Sequence, residues 1–443
     1  MSTPTASVAV SLKRRLVHGA AWSLIAYGGA QVLRFASSLV LTRLLAPEYF
    51  GLMALVNVML IGVNMFSDVG IGPNVVQSHR GADRRFLDTA FSVQAIRGAV
   101  IWLLCIVGAW PFASFYNDPR LVALVAASGA AAFIGGFTST KMMTAYRELD
   151  MGRVTLLELG SQAATVVFTI AYAAVFPSVW ALVAASLFGA LVKMAGSHWM
   201  LPGPNNHFAM DRSSLHELVR FGRWIFLGTI ISFTSNSAAS LILGKLLPVA
   251  QVGIFSLAVT LSNIVGQAYE QASSKLLFPM YAKIKHLPLS ELRQRVLKVR
   301  LAVSAGFIPP LVILTVFGQQ IINLLLDHRY QEGGWILQLY SGFMIPTIIS
   351  ASGPFFLAKG NSLLAMATSA AKLVFYLGCA LIGWHFGGAR GIIIGMAAHT
   401  VLTYALDLVI QQRYGILMLG FDAVALTISG AAIALGFHIT GVL

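Results

Sequence analysis

The segment SLVLTRLLAPEYFGLMAL, residues 38–55, recurs 202 positions later as SLILGKLLPVAQVGIFSL, residues 240–257, without a gap. Seven of the eighteen aligned positions are identical, and the register also pairs two glycines, two basic residues, and Asp68 with Glu270. Leucines align by chance in apolar segments, but the matched glycine and charged positions favour an internal repeat. We therefore predict a chain built from two homologous halves.

The composition around the repeat is that of a membrane protein. Apolar residues make up 57% of the 443 residues and charged residues only 10%, whereas soluble domains carry about 25% charged residues. This composition excludes soluble enzymes, nucleic-acid readers and disordered proteins.

Cys105 and Cys379 lie in apolar runs, so we interpret them as small core residues. The apolar stretch after Arg15 is too long for a signal peptide, and we predict that it is retained as a span.

A membrane helix needs roughly 20 apolar residues, and this criterion predicts an all-α integral membrane protein. The thirteen predicted spans are 17–41, 50–72, 86–110, 121–140, 154–176, 179–201, 220–243, 251–274, 301–318, 334–357, 363–385, 389–411 and 421–441.

The basic residues set the predicted orientation. With the N-terminus in the cytoplasm, 21 Lys and Arg residues fall on the inner side and five on the outer side, as the positive-inside rule requires. This bias explains the net charge of +14. The charge therefore does not indicate a nucleic-acid partner.

The repeat offset covers six spans, so the two halves must have the same orientation. We predict an N-terminal lobe at 1–201, a cytoplasmic linker at 202–219, a C-terminal lobe at 220–411 and an extra C-terminal helix at 412–443. Parallel repeats place the substrate route between the halves and permit alternating access. The sequence contains no Walker A loop, nucleophile elbow or paired-cysteine metal motif, so we predict a transporter without a cofactor and not an enzyme.

The unit LTRLLAPEYFGL, residues 41–52, resembles the junction of spans 1 and 2 in bacterial polysaccharide transporters of the multidrug/oligosaccharidyl-lipid/polysaccharide exporter superfamily. Residues 243–247 with Gly253 are similar to the second lobe of that family. The resemblance implies a flippase that carries undecaprenyl-diphosphate-linked oligosaccharide across the inner membrane for exopolysaccharide, capsule or O-antigen synthesis. It also implies that spans 1, 2, 7 and 8 line a central cavity. Many members have fourteen spans, one more than we predict here.

Three intramembrane cations are candidates for binding the substrate. A charge at the centre of a span costs at least about 2.5–3.5 kcal/mol. We therefore expect a stabilising environment or a functional role for Arg34, Arg97 and Lys372. Facing a water-filled cavity, they would meet a diphosphate, for which arginine offers a bidentate contact. The alternative is a structural cation paired with an acid or with helix carbonyls. We interpret Lys193, near the inner end of span 6, as a side chain that reaches towards the interface.

Polar residues at helical spacing mark the four spans that the resemblance assigns to the cavity. In span 1, for example, Tyr27, Gln31, Arg34 and Ser38 share one face. The additional cavity candidates are Gln31, Asn236, Asn263 and Gln267. The alternative interpretation is polar packing between helices.

Four acids near the inner ends of spans are candidates for a gate or for ion coupling: Asp68, Glu270, Glu158 and Asp407. They could pair with loop cations or bind H⁺ or Na⁺; alternatively, they are helix-end charges at the interface.

The basic loop 275–300 is interpreted either as a site for anionic headgroups of membrane lipids or as a topology signal.

Three other functions are alternatives to the predicted flippase. A cation-coupled multidrug exporter of the same superfamily would need cavity carboxylates. A membrane-embedded polysaccharide polymerase or ligase would need a large outer loop. As a separate protein, polysaccharide polymerase machinery could instead be a partner of a flippase. A lipid II flippase would share both the fold and the lipid anchor.

Overall fold

The computed structural model describes residues 27–67, 71–148, 150–215, 241–284, 286–351 and 362–440, together with single positions between them. The described chain is helical and contains no strand. A segment in the bilayer must satisfy its backbone groups internally, and helices achieve this. The predicted all-α membrane fold is confirmed.

Contacts divide the chain into two compact units, Met1–Lys245 and Leu246–Leu443. The predicted lobe boundary stays a prediction, because much of 216–240 lies outside the described residues. The helices of the first unit are α1 (27–44), α2 (Pro47–Phe66), α3 (Ile71–Gln77), α4 (Arg84–Tyr116), α5 (Arg120–Gly136), α6 (Lys141–Arg147), α7 (Met151–Val175) and α8 (Trp180–Trp199). The short helix α9 (241–246) includes the boundary between the units.

The helices of the second unit are α10 (Val249–Ala272), α11 (Phe278–Ile284), α12 (Leu289–Leu325), α13 (Gly333–Ser350), α14 (Ser362–Arg413) and α15 (Leu419–Thr440). A π-helical turn, Ser273–Leu277, interrupts the run from α10 to α11, and a short 3₁₀ turn, His328–Tyr330, precedes α13.

Eight described helices are long and apolar enough to cross a membrane, or nine if α5 and α6 form one broken span. The sequence predicts thirteen spans, and the difference from the eight or nine described here has identifiable sources. The predicted spans 363–385 and 389–411 are joined in α14, and the predicted span 334–357 corresponds to α13, which is not among the eight. The predicted spans 17–41 and 220–243 lie partly or almost wholly outside the described residues. The last predicted span, 421–441, coincides with α15, which is among the eight.

Small residues let α4 and α5 pack closely. A Cβ atom on Gly98 would lie 2.7 Å from the Ala132 carbonyl oxygen and 3.1 Å from the Cα of Gly136. Further along, a Cβ atom on Gly129 would lie 2.7 Å from the Cβ of Cys105. Close backbone approach over small residues is how helices associate where lipid removes the hydrophobic driving force. Cys105 is a buried, free cysteine, as predicted.

Helix α14 is two helices joined at Gly388, whose backbone angles, φ 53° and ψ −133°, are not helical. Cβ atoms on Gly383 and Gly391 would each lie about 2 Å from the carbonyl oxygen of the other residue, and one on Gly395 would lie 2.0 Å from the Cys379 oxygen. Both pairs are centred on position 387, next to the break. The two halves therefore form a tight helical hairpin, which explains why the sequence shows two spans there.

We expect Gly391→Ala to destabilise this hairpin, because the new methyl group would overlap the Gly383 carbonyl at 2.0 Å. Overpacking of this kind costs about 1–3 kcal/mol or more. Gly387→Ala is the matched control, since a Cβ atom there meets nothing within 4 Å. Thermal melting in detergent, followed by size-exclusion chromatography, should show a lower midpoint for Gly391→Ala alone. Equal midpoints would contradict the close approach of the two halves.

Candidate functional site

Arg97 joins the middle of α4 to the carboxyl end of α2. Its Nε donates to the Ser67 carbonyl oxygen at 2.9 Å, and one terminal nitrogen donates to the Asn64 carbonyl oxygen at 2.8 Å. The last carbonyls of a helix have no partner within it and carry partial negative charge. Arg97 therefore satisfies the end of α2, which is the structural alternative raised from the sequence, and it does so while facing a cavity.

That cavity has a volume of about 510 Å³ and lies within the first unit. Its polar lining includes Arg97, Lys193, Gln94, Asn64, Ser139 and Tyr146. The remaining wall is largely apolar or glycine. A cavity of this size, with a few converging polar groups on an apolar wall, is typical of a small-ligand site.

A broken span forms one wall of the cavity. Helices α5 and α6 are bent by 63° at their junction, and such a break exposes carbonyl oxygens that must find partners. The Gln94 amide donates to the carbonyl oxygens of Gly136, at 3.2 Å, and Thr138, at 3.0 Å. His198 Nε2 lies 2.9 Å from the Phe137 oxygen. The break is therefore held by side chains from α4 and α8.

Glu158 on α7 and Lys193 on α8 lie beside the cavity. Lys193 Nζ is 3.7 Å from Glu158 Oε1, and their side chains are 42% and 36% exposed. The Tyr146 hydroxyl donates to the same carboxylate oxygen at 3.1 Å. A second cavity of about 290 Å³ is lined by Glu158, Lys193 and Gln162. Lys193 therefore lines both cavities.

Two candidates on α1 lie apart from the lining of the larger cavity. Arg34 is exposed, and its Nε donates to the Ala30 carbonyl oxygen at 3.4 Å. Gln31 donates to the Tyr27 hydroxyl at 3.2 Å, which confirms that these two stripe residues share a face. Lys372 is half-buried on α14.

Of the remaining candidates on α10, Asn263 is half-buried, while Gln267 and Glu270 are exposed. Asn236 and Asp68 lie outside the described residues. Roles for all of these positions in transport stay predictions.

Asp407 belongs to a buried polar cluster in the second unit. Its Oδ2 accepts a hydrogen bond from Ser350 at 3.1 Å. Nearby, Arg300 is 1% exposed; its Nε donates to the Ile349 carbonyl oxygen at 2.9 Å, and it forms an ion pair with Asp422. Gln411 contacts both Arg300 and Ser350. The cluster links α12, α13, α14 and α15 at the ends of their spans.

The segment after α8 runs along α4 without forming a helix. The backbone N–H groups of His207, Ala209 and Asp211 donate to the side chains of Asp88, Ser92 and Thr89, at 2.9–3.1 Å. Hydrogen bonds from Ser213 and Ser214 hold the pKa of the Asp211 carboxyl well below its usual range. The first part of the predicted cytoplasmic linker is thus fixed to the first unit.

Sequence reasoning missed the partners in these clusters. The position of Lys193 near the inner end of its span predicts a side chain that reaches towards the interface, and no sequence pattern points to Gln94 or Tyr146. The distribution of basic residues indicates only a topological role for Arg300, and no sequence pattern points to its partner Asp422. No local pattern identifies these residues, because each partner lies on another helix and helix pairing is not encoded in residue spacing.

Comparison with known proteins places the chain in a family. Residues 40–333 match the family described as polysaccharide biosynthesis protein. The lipopolysaccharide biosynthesis protein WzxC of Escherichia coli K12 is 22% identical over 408 residues, which cover 89% of this chain and 81% of that protein. The succinoglycan biosynthesis transport protein ExoT of Rhizobium meliloti is 22% identical over 72% of this chain and 65% of its own length.

Solved structures show the same fold. The lipid II flippase MurJ, in an inward closed conformation, superimposes with a TM-score of 0.69 over 96% of this chain and 93% of its own, at 10% identity. An inward-facing multidrug transporter of the MATE family, from the MOP superfamily, gives 0.69 over 88% of this chain and 94% of its own, at 16% identity. By its fold and by the family match, this chain is a multi-pass membrane protein of the polysaccharide biosynthesis protein family.

Proposed function

We propose that this protein is a flippase that moves undecaprenyl-diphosphate-linked oligosaccharide repeat units from the inner to the outer leaflet of the bacterial inner membrane. The observation that carries the proposal is the family match over residues 40–333. It agrees with the names of two relatives, which concern lipopolysaccharide biosynthesis and succinoglycan transport. Transport would proceed by alternating access, with the N-terminus in the cytoplasm.

Charge within the spans favours this substrate over a cationic drug. The fold does not discriminate, because the lipid II flippase and the multidrug transporter have equal TM-scores. The 510 Å³ cavity in the first unit, however, is lined by Arg97 and Lys193. Cations in a site of low dielectric attract phosphate or carboxylate groups and repel cationic compounds. A cationic site therefore supports an anionic substrate.

The membrane potential is a sufficient source of energy for export. A diphosphate moving outward leaves a negative interior, and each charge gains about 2.3 kcal/mol per 100 mV. An inward H⁺ or Na⁺ would add to this drive. Polysaccharide polymerase machinery at the outer face would then consume the exported repeat unit.

Reconstituted proteoliposomes test the proposal. We expect the purified protein to make lipid-linked repeat units accessible on the far leaflet, and we expect a potential with the negative side at the entry leaflet to raise the rate severalfold. Accessibility is measured with a glycosidase or lectin that does not cross the bilayer. Transport of cationic dyes without transport of the lipid-linked oligosaccharide would instead support the multidrug alternative.

A further inference from the structure

The segment 206–211, which follows α8, lies along α4 without forming a helix, and we call it the linker strap. The backbone N–H groups of three alternate strap residues donate to α4 side chains at 2.9–3.1 Å. The accepting side chains, Asp88, Thr89 and Ser92, are buried. Unpaired backbone groups are costly close to the hydrocarbon of a bilayer. Because part of its backbone is paired in this way, the strap can lie at the membrane surface.

Large apolar side chains at this end of the first unit remain exposed. Phe208 and Met210 of the strap are 68% and 52% exposed, and Trp199, the last residue of α8, is 86% exposed. The Phe208 ring centre lies 5.3 Å from that of Phe91 on α4, so the first unit holds this ring in place without burying it. Apolar surface of this kind is stabilised when it leaves water for an apolar environment.

The end of α8 sets the level of these side chains in the membrane. Helix α8 is long and apolar enough to cross a membrane, and it ends at Trp199. Trp is enriched at the membrane–water interface, where its ring lies among the lipid headgroups. Phe91, which contacts Phe208, also meets the ring of His198 edge-on at a centroid separation of 6.4 Å. The strap therefore lies next to the end of α8, at the level of the interface.

The charges beside the strap favour an anionic surface. Arg84 and Arg85, in the first turn of α4, and Arg212, directly after the strap, are exposed. Two carboxylates of the same region are engaged within the protein. Asp88 accepts a hydrogen bond from a strap N–H at 3.0 Å, and Asp211 accepts one from the Ser214 hydroxyl at 2.7 Å. The exposed cations can therefore meet anionic headgroups, which attract basic side chains near a bilayer.

We propose that the linker strap and the end of α8 form a membrane-surface anchor. Trp199, Phe208 and Met210 insert into the interfacial layer of the leaflet at which α8 ends, and the neighbouring arginines contact its anionic headgroups. In the predicted orientation this is the cytoplasmic leaflet. The anchor is independent of the transported substrate, so it stands whether or not the proposed function is correct.

The anchor also reaches the wall of the larger cavity. Asn206, the first strap residue, accepts hydrogen bonds from the Ser139 hydroxyl at 2.8 Å and from the Thr140 N–H at 3.0 Å. Both residues belong to the junction of α5 and α6, and Ser139 lines the cavity. A strap held at the membrane surface therefore fixes the depth of this broken span in the bilayer.

Spin labels on the full-length protein, reconstituted in vesicles, test the depth of the strap. In a background with Cys105→Ala and Cys379→Ala, a single cysteine is introduced as Phe208→Cys or Met210→Cys and labelled with a nitroxide. We expect oxygen, which concentrates in lipid, to reach both labels severalfold more readily than a water-soluble nickel chelate does. Phe208→Cys also removes packing against Phe91, so Met210→Cys is the independent position.

The matched control is Ser213→Cys, because Ser213 is an exposed polar residue just after the strap. Its label should be more accessible to the nickel chelate than to oxygen. If the labels at Phe208 and Met210 favour the chelate as strongly as the control does, the anchor is wrong, and the apolar surface is then open to a soluble protein partner.

Lipid charge gives a second readout. We expect phosphatidylglycerol, added to phosphatidylcholine vesicles, to draw the label at position 210 deeper, and we expect Arg212→Gln to reduce this shift. An equal depth in both kinds of vesicle would overturn the contact between the arginines and anionic headgroups.

Discussion

Arg300→Met should unfold much of the second unit. The substitution leaves the Asp422 carboxylate, which is 3% exposed, without its ion-pair partner, and it leaves the Ile349 carbonyl oxygen without its hydrogen bond from Arg300. It also removes the guanidinium group that lies 5.0 Å from the centre of the Phe421 ring. Breaking a buried pair by removing one partner costs about 3–5 kcal/mol. We expect a melting midpoint lower by many degrees, and a poor yield of monodisperse protein in detergent.

A control and a rescue make this test specific. Arg295, five residues earlier on α12, pairs with Glu291 at 2.6 Å, but both side chains are about half exposed. Such surface pairs contribute about 0.3–0.5 kcal/mol, so Arg295→Gln should melt like the wild type. Replacing both members of the buried pair, as Arg300→Met with Asp422→Leu, should recover most of the loss. Equal melting of Arg300→Met and Arg295→Gln would show that the buried cluster does not hold these helices together.

Arg97→Gln should abolish transport. The change removes a charge from the larger cavity and two hydrogen bonds from the end of α2. In cells lacking the gene, we expect a plasmid that carries Arg97→Gln to restore less than about a tenth of the surface polysaccharide, a loss of roughly 1.4 kcal/mol or more in the transport step. Arg97→Lys keeps the charge but not the planar fork that reaches two carbonyls, so it should restore an intermediate amount.

The control for this prediction lies on the same helix. Arg85 is exposed near the start of α4, and Arg85→Gln should restore polysaccharide fully. Immunoblots of membrane fractions establish that each variant is present at the wild-type level. Full restoration by Arg97→Gln would contradict a role for this cation in transport.

Features encoded along a single helix were predictable from the sequence. Apolar length predicted α2, α4, α7, α8, α10, α12 and α15, because a span must cover the hydrocarbon core. Helical spacing placed Gln31 on the same face as Tyr27, and the hydrogen bond between them agrees. The cost of a charge in lipid singled out Arg97, and the structure places it in the lining of a cavity.

Features that depend on contacts between helices were not predictable. The Glu158–Lys193 pair joins residues 35 positions apart, on two helices whose relative rotation the sequence does not specify. Arg300 and Asp422 are still further apart, and the sequence indicates only a topological role for Arg300. The break between α5 and α6 depends on Gln94 from another helix. In each case the partner determines whether a polar residue in a span is structural or functional.

The leaflet position of lipid-linked repeat units in cells lacking this gene tests the central claim most directly. The account predicts that these units accumulate on the cytoplasmic leaflet while surface polymer is lost, and that the wild-type gene reverses both changes. Normal polymer and no accumulation, together with new sensitivity to cationic drugs, would contradict the flippase assignment and support a multidrug exporter.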